Sequence, residues 1–193
     1  MKPLIMVLAA VVVAGIATYG QGADTSEVVE REFAPGGTVR MRLASGDYVV
    51  RRSAGDRIVV RLHADRPRHR KHVRAEIDIS GTIATVQTHG DMDDYHVVIE
   101  IPARSDLHLR MRAGEVTVKG IEGNKDVEMT AGELNIDVVP ETYSRVRASV
   151  TFGELESRAL RVSKEGIGRS FDWRGSGRYT LRARLFAGEV NLD

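Results

Sequence analysis

The sequence predicts an all-β fold, specifically a right-handed parallel β-solenoid (β-helix-like) with short, irregular rungs. Apolar and polar side chains alternate along most of the chain, which is the period of a β-strand. Gly, Asp and Ser separate these runs at short intervals, and no run after residue 22 shows the 3.6-residue period of a helix. The third observation is a repeated unit, clearest in L-H-L-R-M-R-A-G-E-V-T-V at residues 107–118.

Each repeated unit contains a Gly followed by an acidic residue. Apolar or small residues precede the Gly at −5, −3 and −1, and apolar residues usually follow it at +2 and +4. Residues of opposite parity point to opposite faces of a straight strand, so a bend or bulge at the Gly is needed to turn both sets inward. The glycines are therefore interpreted as structural corners: Gly46, Gly114, Gly132, Gly153 and Gly188.

The units between residues 107 and 157 recur at intervals of roughly 20 residues, as expected for rungs that bury their apolar faces on one another. Residues 166–177 (G-I-G-R-S-F-D-W-R-G-S-G) interrupt the series and are interpreted as a loop or a β-hairpin insertion. The alternative architecture is an antiparallel β-sandwich, in which the same bulges would bend long strands.

The first 22 residues have the form of a secretory signal peptide, with a short basic start and an apolar run at residues 4–17. An uncleaved anchor is the alternative. Residues 23–27 are expected to be a leader and residues 28–193 a single β-repeat domain. The chain has no Cys, which excludes disulfides, thiolate metal sites and lipidation at Cys. We therefore expect an exported protein of the bacterial periplasm or cell surface.

Composition and motifs argue against several functional classes. The chain has 28 basic and 27 acidic residues, so its net charge gives no general attraction to nucleic acid or to an anionic membrane. It contains no nucleophile elbow, P-loop or dinucleotide-binding motif. We accordingly expect neither enzymatic activity nor a cofactor, and no nucleic-acid partner.

The acidic residues after the corner glycines would form a ladder about 4.8 Å apart if the rungs stack. Carboxylate oxygens are ligands for Ca²⁺, but acidic residues are also well suited to solvent-facing corners. The nonapeptide calcium repeat and the EF-hand pattern are both absent. We therefore predict no metal site.

Two segments that break the repeat are candidates for contact with a ligand or partner. The basic loop of Arg66, Arg68, Arg70 and Lys71 has the charge to contact phosphate groups, although a solvated loop is the simpler interpretation. Phe171, Trp173 and Arg174 combine rings with a cation and would suit a sugar or partner platform. The favoured alternative is that this segment caps an open end of the solenoid.

The segments F-A-P-G-G (33–37), S-G-D (45–47) and the terminal A-G-E-V-N-L (187–192), together with the signal peptide and the A-G-E units, resemble the bacterial putative-adhesin domain family. The resemblance covers residues 28–193. It implies a right-handed parallel β-solenoid-like fold and provides no catalytic residues. The basic stretch 63–72 and the aromatic stretch 171–173 depart from the family pattern.

The sequence thus leads to a functional expectation and two alternatives. We expect an exported, non-enzymatic, adhesin-like interaction module whose partner is an unidentified envelope protein or glycan. A periplasmic carbohydrate-binding or polysaccharide-cleaving β-helix protein is the alternative. Self-association through the solenoid edges is a further option, because unpaired strand edges accept other strands.

Overall fold

A computed structural model describes residues 26–64, 73–90 and 92–193, and most of these residues are in β-strands. Twelve strands pair into one mixed sheet, which confirms the all-β class. A 3-10 turn, Pro140–Thr142, precedes the tenth strand, and no helix among the described residues is long and apolar enough to cross a membrane. The predicted signal peptide lies outside the described residues. The strands are β1 (Ser26–Glu32), β2 (Thr38–Leu43), β3 (Gly46–Arg52), β4 (Arg57–Ala64), β5 (Arg74–Ser80), β6 (Ile83–His89), β7 (Met92–Ile101), β8 (Asp106–Lys119), β9 (Lys125–Ile136), β10 (Tyr143–Ser157), β11 (Val162–Arg174) and β12 (Tyr179–Leu192).

Strand β8 shows how the sheet encloses a core. Leu107 and Leu109 are fully buried before its glycine, and Val116 and Val118 are fully buried after it. The inward parity changes at Gly114, where φ is 123°. Both apolar sets belong to one continuous core cluster. The sheet therefore turns a corner at the glycine; the part before it is called the first arm and the part after it the second arm.

The corner glycines of neighbouring strands lie directly beside one another. A Cβ atom on Gly132 would overlap the carbonyl oxygen of Gly114, and a Cβ on Gly114 would overlap that of Gly46. Glycine is thus required both by the close approach of the backbones and by the positive φ. The paired row runs, in spatial order, Gly46, Gly114, Gly132, Gly188, Gly153 and Gly166.

The long bent strands form the parallel centre of the sheet, in the order β8, β9, β12 and β10. β2 pairs with the first arm of β8 and β3 with its second arm, also in parallel. β6 extends the first arm beyond β2, and β7 extends the second beyond β3. Antiparallel strands complete the sheet: β5 on β6, β4 and then β1 on β7, and β11 on β10.

The structure does not show the predicted right-handed parallel β-solenoid or the alternative sandwich. The sheet is open and mixed, and β12 lies between β9 and β10 although it follows both in the chain. The repeated unit specifies a corner and a register, and these are satisfied by any order of stacking. The proposed insertion at residues 166–177 is largely the second strand of a β10–β11 hairpin, which places an antiparallel strand at the end of the parallel series.

Candidate functional site

The outer side of the corner carries a row of carboxylates on six adjacent strands. Each acidic residue lies next to a corner glycine and pairs in register with the acidic residue on the adjacent strand. Neighbouring acidic residues are therefore separated by about one strand spacing, roughly 4.8 Å. The row borders a shallow groove of about 650 Å³. In spatial order it consists of Asp47, Glu115, Glu133, Glu189, Glu154 and Glu165.

The acidic row is supported by neighbouring amides. Asn135 donates a hydrogen bond to Glu133 over 2.9 Å, and Asn191 does the same for Glu189 over 2.9 Å. Asn191 also donates to the side-chain oxygen of Asn135 at 3.0 Å. Within the described ranges, no group of three or more His, Asp or Glu side chains has an arrangement that could hold a metal ion. The row is therefore described as a solvent-facing acidic ridge.

The outer face of the first arm has the opposite charge. This cationic face consists of the outward residues on β2, β8, β9, β12, β10 and β11 before the corner, where arginines outnumber carboxylates. Its arginines are Arg40, Arg42, Arg110, Arg112, Arg145, Arg147, Arg174, Arg182 and Arg184, and its carboxylates are Asp106, Asp126, Glu128 and Asp172, the last ion-paired with Arg145. Charges that nearly cancel over the whole sequence are thus segregated onto different surfaces.

Two of these arginines are neutralised by ion pairs on β9. Arg110 lies 2.9 Å from Asp126 and 3.2 Å from Glu128, and Arg184 lies 2.7 Å from Glu128. Burial raises the pKa of the Asp126 carboxyl, but the hydrogen bond from Arg110 and the charges of Arg110, Arg184 and His108 together hold that pKa below its usual value. This network fixes the middle of the cationic face.

Other arginines on the face have no such neutralisation. Arg40, Arg42, Arg112 and Arg182 are exposed, and no carboxylate among the side chains that the structure describes is within ion-pairing distance of them. Register places Arg182 directly beside Arg147 on the next strand. These cations are held on strands of a rigid sheet and remain available to an anionic partner.

An aromatic pair lies at the corner end of the cationic face. The rings of Phe152 and Phe186 meet edge to face, with centroids 5.4 Å apart and planes at 78°. Their side chains are 46% and 53% exposed, although large apolar residues normally avoid such exposure. Ile167, which pairs with Phe152 in register, is 73% exposed. The three side chains form an apolar patch next to the arginines.

Of the residues singled out from the sequence, Phe171 lines a groove on this side of the sheet and Arg174 lies on the outward side of β11. Arg66, Arg68, Arg70 and Lys71 lie outside the described residues. Phe171 and Trp173 are on the inner side of β11, opposite Ala148 and Val146, and pack partly buried against the core. Arg174 is exposed and pairs across the strands with Arg145.

Apart from Arg174, sequence reasoning missed the cationic face, and it missed the patch. The signal for the patch was present: T-F-G-E and L-F-A-G-E carry Phe within two residues of the corner glycine, where other units have Ala, Ser, Thr or Arg. The cationic face has no comparable local signal. Its arginines are spread over separate strands and meet only through register.

No protein-family model matches the chain, and no curated protein matches it. Among solved structures, a "putative cell adhesion protein" from Clostridium sporogenes is similar with a TM-score of 0.53 and 11% identity, covering 86% of this chain and 98% of that chain. A "putative adhesin" from Bacteroides fragilis has a TM-score of 0.31 and 8% identity, covering 86% and 97%. At these identities the first similarity concerns the fold alone, and the second is too weak to support an argument.

Proposed function

We propose that this chain is an exported, non-enzymatic, adhesin-like module that binds an anionic polymer of a cell surface through its cationic face. The observation that carries the proposal is the set of exposed arginines on β2, β8 and β12 without carboxylate partners among the described residues. The fold similarity to the "putative cell adhesion protein" of Clostridium sporogenes supports the adhesin-like part. The signal-like residues 1–22 support export.

The chemistry of arginine suits this role. A guanidinium group binds carboxylate, sulfate or phosphate oxygens through two parallel hydrogen bonds. Arg40 and Arg42 share one face of β2, so they are about 7 Å apart, and neighbouring strands repeat the array at about 4.8 Å. A charged polymer meets such an array at several points at once, so individually weak contacts add up.

Charge segregation matters more here than net charge. The chain has a formal net charge of +1, which alone would attract no polymer. Because the acidic ridge lies at the corner, beyond the end of the cationic face, a polymer on the first arm is exposed mainly to positive charge. The binding should weaken as salt rises, since exposed charges separated by more than about 8–10 Å are screened at physiological ionic strength.

The test measures binding to immobilised polygalacturonate and to polyphosphate. The protein is expressed from the full sequence, residues 1–193, and purified from the producing cells. The variant Arg40→Gln/Arg42→Gln/Arg112→Gln/Arg182→Gln should lose about tenfold in affinity for both polymers, which corresponds to several weak contacts of about 0.3–0.5 kcal/mol each.

The matched control removes the same charge from other places. Arg31, Arg52, Lys119 and Arg158 lie in or beside the second arm, and their replacement by Gln should leave affinity within about threefold of the unaltered protein. Equal losses in both variants, or no binding of either polymer by the unaltered protein, would overturn the proposal.

A further inference from the structure

A shallow groove of about 650 Å³ crosses β12, β10 and β11 on the cationic face. Its volume is in the range of sites that hold small ligands or a short segment of polymer. Cations line it together with two hydroxyl groups, which can both donate and accept hydrogen bonds, and with the carboxylate of Asp172, which is ion-paired with Arg145. The lining side chains used below are Arg147, Ser149, Ser170, Arg182 and Arg184.

The aromatic pair continues the groove towards the corner. Phe186 lies two residues beyond Arg184 on the same face of β12, which is about 7 Å along a strand. Phe152 on β10 supports it through the edge-to-face contact at 5.4 Å. The corner positions of β8 and β9 carry Ala113 and Ala131 instead, so the aromatic surface is confined to the groove end of the sheet.

Exposed rings beside cations and hydroxyls match one class of anionic polymer. A sugar ring presents a face of C–H groups that packs on an aromatic ring, with a rim of hydroxyls that the serines can bind. A uronic-acid residue adds a carboxylate for Arg147 or Arg182. A polyphosphate has no apolar face and would leave the rings exposed.

A lipid surface fits the same residues less well. Stable binding at a membrane interface needs a large, continuous apolar face. Here the apolar patch consists of Phe152, Phe186 and Ile167, and it is bordered by the exposed Thr151 and by Arg184. The arrangement is that of a narrow apolar strip beside a polar groove.

We propose that the groove and the Phe152–Phe186 pair bind an acidic polysaccharide, with sugar rings on the aromatic pair and carboxylates on Arg147 and Arg182. The proposal rests on the proposed function, because it names the polymer that the cationic face would bind. Binding is reversible and involves no covalent step.

The experiment compares three probes: polygalacturonate, inorganic polyphosphate, and vesicles of phosphatidylglycerol with phosphatidylcholine. The variant Phe152→Leu/Phe186→Leu keeps apolar bulk at both exposed positions and removes the rings. It should lose about tenfold in affinity for polygalacturonate, and its affinity for polyphosphate should stay within about threefold. Val28 and Val49 are exposed on the second arm, and their replacement by Ala is the control that should affect neither probe.

The outcomes separate this inference from the proposed function. If the Phe variant keeps its affinity for polygalacturonate while the arginine variant loses affinity for both polymers, the inference fails and the proposed function stands. If the arginine variant also keeps its affinity for polygalacturonate and for polyphosphate, the inference and the proposed function both fail. Vesicle binding that depends on the two Phe residues would show that the patch is a lipid-docking surface and would overturn the inference. Equal melting temperatures of the variants establish that they fold.

Discussion

The ammonium group of Lys125 donates a hydrogen bond to the hydroxyl of Tyr143 in the interior of the protein. It also donates to the carbonyl oxygen of Ile121 at 2.6 Å, and the Lys125 residue is only 2% exposed. In register, Lys125 pairs with Leu107 on one side and Leu181 on the other. An ionisable side chain thus occupies a position that adjacent strands fill with leucine.

Lys125 makes stability depend on pH in an unusual direction. Burial lowers the pKa of Lys125 from 10.5 to about 8, against the opposing charges of Asp137 and Glu122. Between pH 8 and 10 the unfolded chain therefore holds a proton that the folded protein has largely lost. The free energy of unfolding should rise by roughly 2 kcal/mol over that interval, as urea unfolding at pH 7, 8, 9 and 10 would measure.

The rise should end near pH 10. Burial and the charges of Asp137 and Tyr179 raise the pKa of Tyr143, so above pH 10 the unfolded tyrosine loses its proton before the folded one, which lowers stability again. Lys125→Met removes the titrating group and should flatten the curve between pH 8 and 10. A flat or falling curve for the unaltered protein would contradict this account.

Gly132→Ala should severely destabilise the protein. The new Cβ would overlap the Gly114 carbonyl oxygen, and φ at this position is +117°. Backbone strain alone costs about 1–3 kcal/mol, and the overlap adds to it. Gly36→Ala is the matched control, because its φ is +87° but nothing lies near its Cβ position. Thermal unfolding should show a clearly larger fall for Gly132→Ala; equal falls would mean that backbone contact at the corner is unimportant.

Removing two cations at inward positions of β11 should allow the free edge of this strand to pair with other molecules. Lys164 and Arg169 pair with the buried Leu155 and Val150, so they occupy inward positions of the last strand. Inward-pointing charges protect sheet edges from pairing with other molecules. Lys164→Val/Arg169→Val should therefore self-associate at micromolar concentrations in sedimentation experiments.

The control for the edge variant is Ser163→Val/Ser170→Val, which adds valine on the exposed outward side of the same strand. It should sediment like the unaltered protein. Comparable self-association in both variants would mean that the added hydrophobic surface, and not the loss of the inward charges, causes the association. The self-association expected from the sequence stays a prediction, and at β11 these two cations weigh against it.

Removing the carboxylates of β9 should strengthen polymer binding. Asp126→Asn/Glu128→Gln releases Arg110 and Arg184 from their ion pairs and should tighten binding to polygalacturonate several-fold, with a stability loss of about 1 kcal/mol or less because the pairs are partly exposed. Glu115→Gln/Glu154→Gln makes the same change in charge on the acidic ridge and should have a smaller effect. A larger gain from the ridge variant would place the binding surface elsewhere.

Local features of the fold could be predicted from the sequence. The alternation over residues 38–43 predicts a strand with the bounds of β2, and the parity change around Gly114 predicts a bend there. Both follow from side-chain direction and backbone conformation within a few residues. Strand alternation also indicated the all-β class without reference to distant residues.

The order of strands and the site could not be predicted in the same way. The units at Gly132, Gly153 and Gly188 share a pattern, so nothing local distinguishes the order of stacking. The cationic face depends on that order: Arg182 meets Arg147 only because β12 pairs with β10. The basic segment at residues 66–71 was conspicuous because its charges are close together in sequence, whereas the arginines of the cationic face are close together only in space.

The position of β12 has a consequence for how the molecule assembles. β9 and β10 are made before β12, yet β12 pairs with both, so the sheet cannot close in the order in which the chain emerges. Until Leu181 and Leu185 dock between them, β9 and the β10–β11 hairpin each present an open apolar edge. Closure joins segments distant in sequence, a topology that folds slowly. The chain would therefore be most vulnerable to aggregation and proteolysis just before this last insertion.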